Sequence, residues 1–392
     1  MSIIYHNWER LVRATLKKEE LRELARAHSR DPSLSSISSD FSSRSSFTSP
    51  LHDHFPVNSG SPEAPSGPST PLCSRDESLP IRRSDDGILQ LPIAKPILFK
   101  ELQKATRHFR PDTIVGEGGF GPVFKGWINE LTLTAAKPGS GMTVAIKKWN
   151  PNGFQGFNEW MTGVSYLLQF RHPNLIKLIA YCNEGKNLLS VYEFMPKGSL
   201  DNHLFRRGHQ CLSWATRIKV AVGAARGLSF LHDAKKQVIH RSFKTADILL
   251  DEEFNAKLSD FDFAKDGPSG DATHVSTRVM GTSGYVAPEY MATGHLSGKC
   301  DVYAFGVVLL ELLSGRRATD RSTDHKIQNL VDWARPYLSK KKKLYRVMDT
   351  KLEGQYPQEG AVIVANLALQ CLSHEPKSRP CMAEVLATLE GL

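Results

Sequence analysis

The sequence predicts an α+β fold in which a small sheet-containing lobe is followed by a larger helical lobe. Four short runs rich in β-branched and aromatic residues come first, at 113–115, 121–125, 143–147 and 188–194. Three longer runs of helical period come later, at 214–231, 301–313 and 362–371. Because strands precede helices instead of alternating with them, separate sheet and helix lobes are favoured over a βαβ sheet.

The composition narrows the class of protein. Of the 392 residues, 40% are hydrophobic, which is enough for a large core and excludes a wholly disordered chain. The six cysteines form no C-x-x-C pair, so we expect a reducing intracellular compartment without a disulfide scaffold or a structural zinc site. The longest apolar run, 302–313, contains Glu311 and is too short to span a bilayer.

The net charge of +9 fits an acidic partner or an anionic membrane surface. The 41 acidic residues make an ordinary mixed surface the simpler interpretation, and no nucleic-acid partner is predicted.

Three segments differ in character. Residues 1–30 have apolar residues at helical spacing and carry seven Lys or Arg against four Glu, which predicts a basic amphipathic helix. This helix could bind a membrane surface, dock into a partner or pack on the main domain, and the sequence leaves these alternatives open. Residues 31–92 are rich in serine and proline, so we predict a disordered linker. Residues 93–392 are predicted to be globular.

Two motifs indicate a phosphate-binding site in the small lobe. Gly116, Gly118, Gly121 and Val123 fit the pattern G-x-G-x-x-G-x-V. This pattern alone also fits a dinucleotide fingerprint or a simple turn, but strand-type runs on both sides favour a glycine-rich hairpin over phosphates. The V-A-I-K run at 144–147 then supplies a lysine on the following strand.

Further motifs follow in a fixed order. They are H-R-S, D-F-D and A-P-E, at 240–242, 260–262 and 287–289. Other characteristic runs stand at 99–102, 172–175, 192–195, 277–282 and 330–336. With these motifs, residues 95–392 resemble a protein kinase domain, and more narrowly the plant receptor-like cytoplasmic kinases related to subfamily VII.

The resemblance implies a bilobal kinase fold. Its small lobe, at about 93–195, would hold a five-stranded sheet and the αC helix, and its mainly helical large lobe would span about 196–392. ATP and Mg²⁺ would bind between the lobes, and Lys244 fits chemistry on serine or threonine. The implied partners are other proteins, namely receptor kinases or immune signalling proteins of plants.

Residue roles implied by the resemblance are carried over position by position. The nucleotide-binding positions are Gly116, Gly118, Gly121, Val123, Ala145, Lys147, Glu193, Met195 and Leu249. The metal positions are Asp247 and Asp260. Regulatory phosphorylation would fall on the activation loop, at Ser276, Thr277 and Thr282. Structural roles, including a partner for loop phosphate, fall to Arg241, Glu289, Asp301 and Arg379.

The catalytic loop departs from the kinase pattern at two positions. Ser242 stands where a catalytic Asp is expected, and Asp247 stands where an Asn is expected. A hydroxyl cannot accept the substrate proton as a carboxylate would, and losing a general base costs roughly 10²–10⁴-fold in rate. Asp247 keeps an oxygen ligand for Mg²⁺, and a displaced catalytic base at this position is the alternative.

Two further departures concern the partner of Lys147. Gly163 occupies the αC position of the expected Glu, so Lys147 is predicted to reach only phosphate or Asp260. Glu159, one helical turn earlier, is an alternative partner. Asp262 replaces the glycine of D-F-G and is either an added metal ligand or a solvated surface acid.

The departures together predict a pseudokinase that acts as a scaffold, decoy or regulated adaptor and still binds ATP weakly. An active serine/threonine kinase with a non-standard catalytic loop is the alternative, and an ATP-dependent transferase of another kind is a third. A cytoplasmic protein is expected without an acylation motif, because residue 2 is serine and the first cysteine is Cys73. Peripheral contact with the plasma membrane through residues 1–30 stays open.

Overall fold

The computed structural model describes residues 94–118, 121–150, 154–206, 208, 211–321 and 327–392. The helix predicted at 1–30 and the linker predicted at 31–92 lie outside the described residues. Within the part of the chain that is described, no helix is both long enough and apolar enough to cross a membrane.

Six strands form the sheet of the small lobe. They are β1 Lys95–Pro96, β2 Ile114–Gly118, β3 Gly121–Ile128, β4 Met142–Lys148, β5 Leu178–Glu184 and β6 Asn187–Glu193. Their spatial order is β1-β5-β6-β4-β3-β2. The α+β fold is confirmed, but the expectation of five strands is wrong, because β1 adds a short parallel strand beside β5. Two residues are too few to show a strand period in sequence.

Alternation along β4 decides which way its side chains point. Val144 and Ile146 are completely buried in the core of the small lobe. Ala145 and Lys147, the residues between and after them, therefore project from the opposite face of the sheet. Since Lys147 pairs in register with Val123 of β3, the V-A-I-K strand lies directly against the glycine-rich hairpin.

Two helices complete the small lobe, α1 Phe99–Ala105 and α2 Phe154–Gln169. Helix α2 occupies the position of the predicted αC helix, between the sheet and the D-F-D run at 260–262. Trp160, Val164 and Leu167 are buried at helical spacing along it. The face that carries Trp160 packs against the sheet, where its indole N–H donates to the carbonyl of Leu189.

The large lobe is mainly helical. Its helices are α3 Leu200–Phe205, α4 Trp214–His232, α5 Pro288–Thr293, α6 Gly298–Ser314, α7 Leu330–Leu338, α8 Gln358–Cys371 and α9 Met382–Glu390. The predicted runs 214–231, 301–313 and 362–371 fall within α4, α6 and α8. Helix α6 is mostly apolar and runs through the middle of the lobe, with every residue from Cys300 to Ser314 buried.

Short strands position the functional loops of the large lobe. They are β7 Gly198–Ser199, β8 Val238–Ile239, β9 Ile248–Leu250, β10 Ala256–Leu258, β11 Lys265–Asp266, β12 Val275–Ser276, β13 His295–Leu296, β14 Thr319–Arg321 and β15 Ile327–Asn329. The catalytic loop lies between β8 and β9. The D-F-D segment lies between β10 and β11, and β11 pairs with β8, so the two segments are held side by side.

Candidate functional site

Lys147 is the central cation of the cleft between the lobes. Its Nζ lies 2.6 Å from Asp262 Oδ2 and 3.2 Å from Asp260 Oδ1. Burial alone would lower the pKa of Lys147, but the Asp262 and Asp260 carboxylates raise this pKa above its ordinary value. Lys147 is therefore an ammonium ion, which also lies 4.4 Å from the centroid of the Trp149 ring.

Two expectations are wrong, namely that Lys147 reaches only phosphate or Asp260 and that Asp262 is a solvated surface acid. The alternative that Asp262 is an added metal ligand stays a prediction. Asp262 is in fact only 3% exposed and pairs with Lys147. Space for it exists because of Gly163, where an added Cβ would lie 2.7 Å from Asp262 Oδ1. Glu159 is buried within α2.

The pKa values of the two acids of D-F-D, Asp260 and Asp262, are shifted in opposite directions. Burial raises the pKa of Asp262, and although Lys147 opposes this, the Asp260 carboxylate raises the pKa further. Burial also disfavours the charge on Asp260, but the Lys147 ammonium brings the pKa of Asp260 below its ordinary range. Asp260, with a left-handed backbone at φ 63°, is therefore the more firmly ionised of the two.

The catalytic loop is braced by Asp301 of α6. Asp301 Oδ2 accepts a hydrogen bond from the backbone N–H of His240, and Asp301 Oδ1 accepts one from that of Arg241, both at 2.8 Å. The imidazole Nε2 of His232 lies 2.9 Å from Asp301 Oδ2. These contacts hold Arg241 in a left-handed conformation with φ 73° at the start of the catalytic loop.

The position of the missing catalytic acid is filled by a buried hydroxyl. Ser242 is 5% exposed, and its Oγ lies 3.5 Å from the carbonyl oxygen of Asp260. Lys244 of the loop engages two acids, because its Nζ lies 2.9 Å from Asp247 Oδ1 in the same loop and 3.8 Å from Asp260 Oδ2 in the D-F-D segment. The loop therefore offers a neutral hydroxyl where a proton acceptor is needed.

Asp247 and Asp260 are suited to hold Mg²⁺. Both carboxylates already face one cation, the Lys244 ammonium, and Mg²⁺ binds proteins through one or two carboxylates together with substrate phosphates. Burial, and then Asp260, raise the pKa of Asp247, and Lys244 opposes them. When bound, Mg²⁺ neutralises phosphate charge. Among the described residues, no cluster of three or more His, Cys, Asp or Glu forms a richer metal site.

The hairpin between β2 and β3 carries the glycine-rich motif. Gly121 has φ 134°, and a Cβ there would lie 2.2 Å from the carbonyl oxygen of Lys148, so only glycine fits. A Cβ on Gly116 would meet nothing within 4 Å, and one on Gly118 would lie 3.9 Å from the carbonyl oxygen of Gly121. Val123 follows in β3, paired with Lys147.

The other predicted nucleotide positions lie in or just after strand β6 and in strand β9. Met195 is buried after β6, and Leu249 lies in β9. The Glu193 carboxylate accepts hydrogen bonds from the Lys257 ammonium at 2.8 Å and from the backbone N–H of Lys177 at 2.7 Å. The side chain of Glu193 is therefore occupied by the protein itself, and a contact with nucleotide is left to its main chain.

The predicted phosphorylation positions differ in their surroundings. Thr277 Oγ1 lies 3.2 Å from Arg241 Nη2, which also donates to the carbonyl of Arg278. Ser276 and Thr282 are exposed. A phosphate on Thr277 would thus lie close to the guanidinium group of Arg241, and guanidinium groups are favoured partners of phosphate in proteins.

Glu289 and Arg379 form a bidentate ion pair. Arg379 Nη1 and Nη2 each lie 2.7 Å from a carboxylate oxygen of Glu289. The same guanidinium donates to the carbonyls of Ser373 and Lys299, so that it joins three segments of the large lobe. This geometry suits the structural role predicted for the pair.

Sequence reasoning missed the Lys147–Asp262 contact and the Lys244 contacts with two acids. A signal for the first contact was present, because an acid is lost at position 163 and another is gained at position 262. Nothing in the linear sequence indicates that they touch, since the contact joins a helix of the small lobe to a loop of the large lobe.

Comparison with known proteins agrees with this architecture. Residues 109–389 match the family model for protein tyrosine and serine/threonine kinases. Since this is most of the chain, the protein belongs to the protein kinase family, whose members use ATP and Mg²⁺.

Relatives narrow the group. The chain is 64% identical over 328 residues to "Probable serine/threonine-protein kinase PBL3" of Arabidopsis thaliana, covering 84% of this chain and 77% of the relative. It is 63% identical over 331 residues to the Arabidopsis protein PBL2, covering 84% and 78%. It is 58% identical over 315 residues to "Receptor-like cytoplasmic kinase 176" of Oryza sativa subsp. japonica, covering 80% of each. The chain is thus of the receptor-like cytoplasmic kinase type.

Proposed function

We propose that this protein is a catalytically impaired member of its family, a pseudokinase that binds ATP and Mg²⁺ weakly and works as a scaffold, decoy or regulated adaptor. The observation that carries the proposal is Ser242, a buried neutral hydroxyl at the proton-accepting position of the catalytic loop. A serine hydroxyl does not ionise near neutral pH, so it cannot replace a carboxylate base.

Weakened metal binding follows from the charges of the cleft. Lys147 and Lys244 together contact all three acids, Asp247, Asp260 and Asp262. A metal ion must compete with these ammonium groups for its carboxylate ligands. Nucleotide phosphates, which are attracted to the same lysines, would relieve this competition, so ATP and Mg²⁺ are expected to bind together.

A second candidate function is phosphotransfer by a non-standard catalytic loop. It is favoured by the retained pair of Lys147 and Asp260, which is the minimum needed to hold phosphate and metal. In this case Asp247, at 2.9 Å from Lys244, is the acid nearest to the substrate position along the loop.

The proposed partners are other proteins, namely receptor kinases or immune signalling proteins. Support comes from the type of kinase to which the chain belongs and from the contact between Arg241 and Thr277, where phosphorylation by an active kinase would add charge. We further propose a cytoplasmic location, with the basic segment 1–30 as the part that would contact the plasma membrane.

The test is transfer of γ-phosphate by the purified full-length chain, to itself and to a general protein substrate, with Mg²⁺ and with Mn²⁺. The wild type is compared with Lys147→Ala, which removes the phosphate-facing cation, and with Ser242→Asp, which restores the carboxylate. We expect the wild type to equal the Lys147→Ala background, and Ser242→Asp to gain roughly 10²-fold or more.

Wild-type transfer that Lys147→Ala abolishes would overturn the pseudokinase proposal in favour of the second candidate. Asp247→Asn would then show whether Asp247 is the displaced base. Nucleotide binding is measured separately by thermal shift with MgATP, and a wild-type chain that shows no shift at millimolar MgATP would remove ATP from the proposal.

A further inference from the structure

We propose that Asp262 positions Lys147 in place of an acid on helix α2, and that Gly163 is the residue that makes this exchange possible. Protein kinases pair this lysine with a glutamate of the αC helix. In this chain helix α2 has Gly163 at that position and so offers no side chain. The acid that pairs with the lysine is Asp262, two residues after the metal ligand Asp260.

The geometry places one carboxylate between the helix and the lysine. Asp262 Oδ2 lies 2.6 Å from Lys147 Nζ, and Asp262 Oδ1 lies 2.7 Å from the point where a Cβ on Gly163 would stand. Real Cβ atoms do not approach a carboxylate oxygen this closely. The carboxylate of Asp262 therefore fills the space that a side chain at position 163 would need.

The glycine at position 163 and the aspartate at position 262 depend on each other for physical reasons. A side chain on Gly163 would collide with Asp262, and a glutamate there would also add a third acid beside Asp260 and Asp262. Conversely, an aspartate at 262 needs a cation, because an unpaired buried carboxylate is strongly disfavoured. Glycine is otherwise a poor residue for the interior of α2, so its presence calls for such a reason.

Helix α2 keeps a second contact with the same segment. One turn after Gly163, the hydroxyl of Tyr166 donates a hydrogen bond to Asp266 Oδ1 at 2.9 Å. The face of α2 that carries Gly163 and Tyr166 is thus packed against residues 262–266. Contact between helix and segment is preserved, while the ion pair itself lies wholly between β4 and the segment.

With its partner acid at position 262 instead of on helix α2, Lys147 is positioned by a different part of the protein. When the acid is on the helix, outward movement of the helix breaks the ion pair. Here the partner moves with Asp260 and Phe261, and Phe261 is buried beside His240, with their ring centroids 5.1 Å apart. The position of Lys147 therefore follows the conformation of residues 260–262 rather than that of α2.

A second role of Asp262 is to share Lys147 with Asp260. If Asp262 were lost, Asp260 would be the one of these two acids that still faces Lys147. Asp260, the metal ligand, would then form a tighter ion pair with Lys147. Asp262 thus keeps Asp260 accessible to Mg²⁺. Loss of Asp262 is therefore expected to weaken binding of magnesium nucleotide as well as folding.

The test is a double-mutant cycle in the full-length chain, made of Asp262→Gly, Gly163→Glu and the combined variant, which returns the acid to the helix. The first readout is the thermal midpoint without nucleotide, and the second is the dissociation constant of MgADP. Only the second readout rests on the nucleotide-binding part of the proposed function, so a chain that fails to bind MgADP still tests the ion pair through the first.

Each single variant is expected to lower the thermal midpoint by about 5 °C or more, because each leaves a buried charge uncompensated or crowded. Asp262→Gly is also expected to raise the dissociation constant of MgADP by roughly tenfold. The combined variant is expected to recover both values, to within about threefold in affinity. If Gly163→Glu alone yields no folded protein, recovery of folded protein in the combined variant is the supporting result.

Two further variants sharpen the test. Asp262→Asn keeps the shape of the side chain and removes its charge, and it should lower the midpoint without any steric change. Asp112→Asn removes the exposed acid that pairs with Arg110, and it should change the midpoint by about 1 °C or less. An Asp262→Gly protein with the midpoint and affinity of the wild type, or a combined variant no better than the sum of the singles, would overturn the proposal.

Discussion

Glu311 of helix α6 is a buried carboxyl group outside the nucleotide cleft. Its Oε2 accepts a hydrogen bond from the Tyr285 hydroxyl at 2.7 Å, and its Oε1 accepts one from the backbone N–H of Ala318 at 2.8 Å. Burial is the larger influence and raises the pKa of Glu311 to about 7, although both hydrogen bonds oppose it.

This shift predicts a pH dependence of stability. The folded state holds the proton of Glu311 up to about pH 7, whereas the unfolded state releases it near the ordinary pKa of 4.5. The contribution to the free energy of unfolding is therefore fully present below about pH 4.5 and is lost as the pH rises to 7, by up to about 3 kcal/mol.

Glu311→Gln should remove this slope, because the amide does not titrate and the Tyr285 hydroxyl can accept from it. Urea unfolding of both proteins at several pH values between 5 and 8 measures the difference. Parallel curves for the two proteins would contradict the raised pKa.

At the scale of elements, the packing of α6 against α8 depends on a glycine. A Cβ on Gly306 would lie 2.8 Å from Cys371 Cβ and 2.9 Å from Leu372 Cγ, so the two helices would have to separate. Gly306→Ala is expected to lower the free energy of unfolding by about 1–3 kcal/mol, because overpacking outweighs the better helix propensity of alanine.

Gly360 in α8 provides the matched control. A Cβ there would meet Trp214 at 3.5 Å, which is an ordinary van der Waals distance. Gly360→Ala should therefore stabilise the protein by up to about 1 kcal/mol. Urea unfolding measures the free energy of unfolding of both variants. Equal effects of the two substitutions would mean that helix propensity alone governs these sites.

The sequence predicted the long helices of the large lobe from their helical period, and the strands β2, β3, β4 and β6 from their β-branched and aromatic residues. Strand β5 was missed although Leu178, Ala180 and Cys182 alternate as buried residues along it. Strand β1 had no local signal, since its pairing with β5 joins residues far apart in sequence. The same limit hid the contact of Gly163 with Asp262, because space is a property of the folded chain.

At the scale of the whole molecule, ion pairs join segments that are distant in sequence. Arg379 binds Glu289 across the large lobe with a side chain that is completely buried. Arg226 binds Glu390 at the similar distance of 2.7 Å, but both side chains are about half exposed. Both pairs join a guanidinium to a carboxylate, but the Arg379 pair is more buried and bidentate, and Arg379 also donates to two backbone carbonyls.

Replacement of each arginine should reveal this difference. Arg379→Leu is expected to cost about 3–5 kcal/mol of unfolding free energy, because it leaves the Glu289 carboxylate and two backbone carbonyls without their donor. Arg226→Leu is expected to cost about 1 kcal/mol or less. Denaturant unfolding of the two variants provides the comparison, and similar losses would show that burial does not set the strength of these pairs.

Strand β1 has a consequence for association between molecules. Without it, β5 would form the outer edge of the small-lobe sheet and offer its backbone N–H and C=O groups to a strand of another chain. Lys95 and Pro96 lie along that edge, and the backbone N–H of Ile97 donates to the carbonyl of Tyr181 at 2.9 Å. Because Pro96 has no N–H, the new edge is a poor template for a further strand. A few residues before the first helix thus protect the sheet against edge-to-edge aggregation.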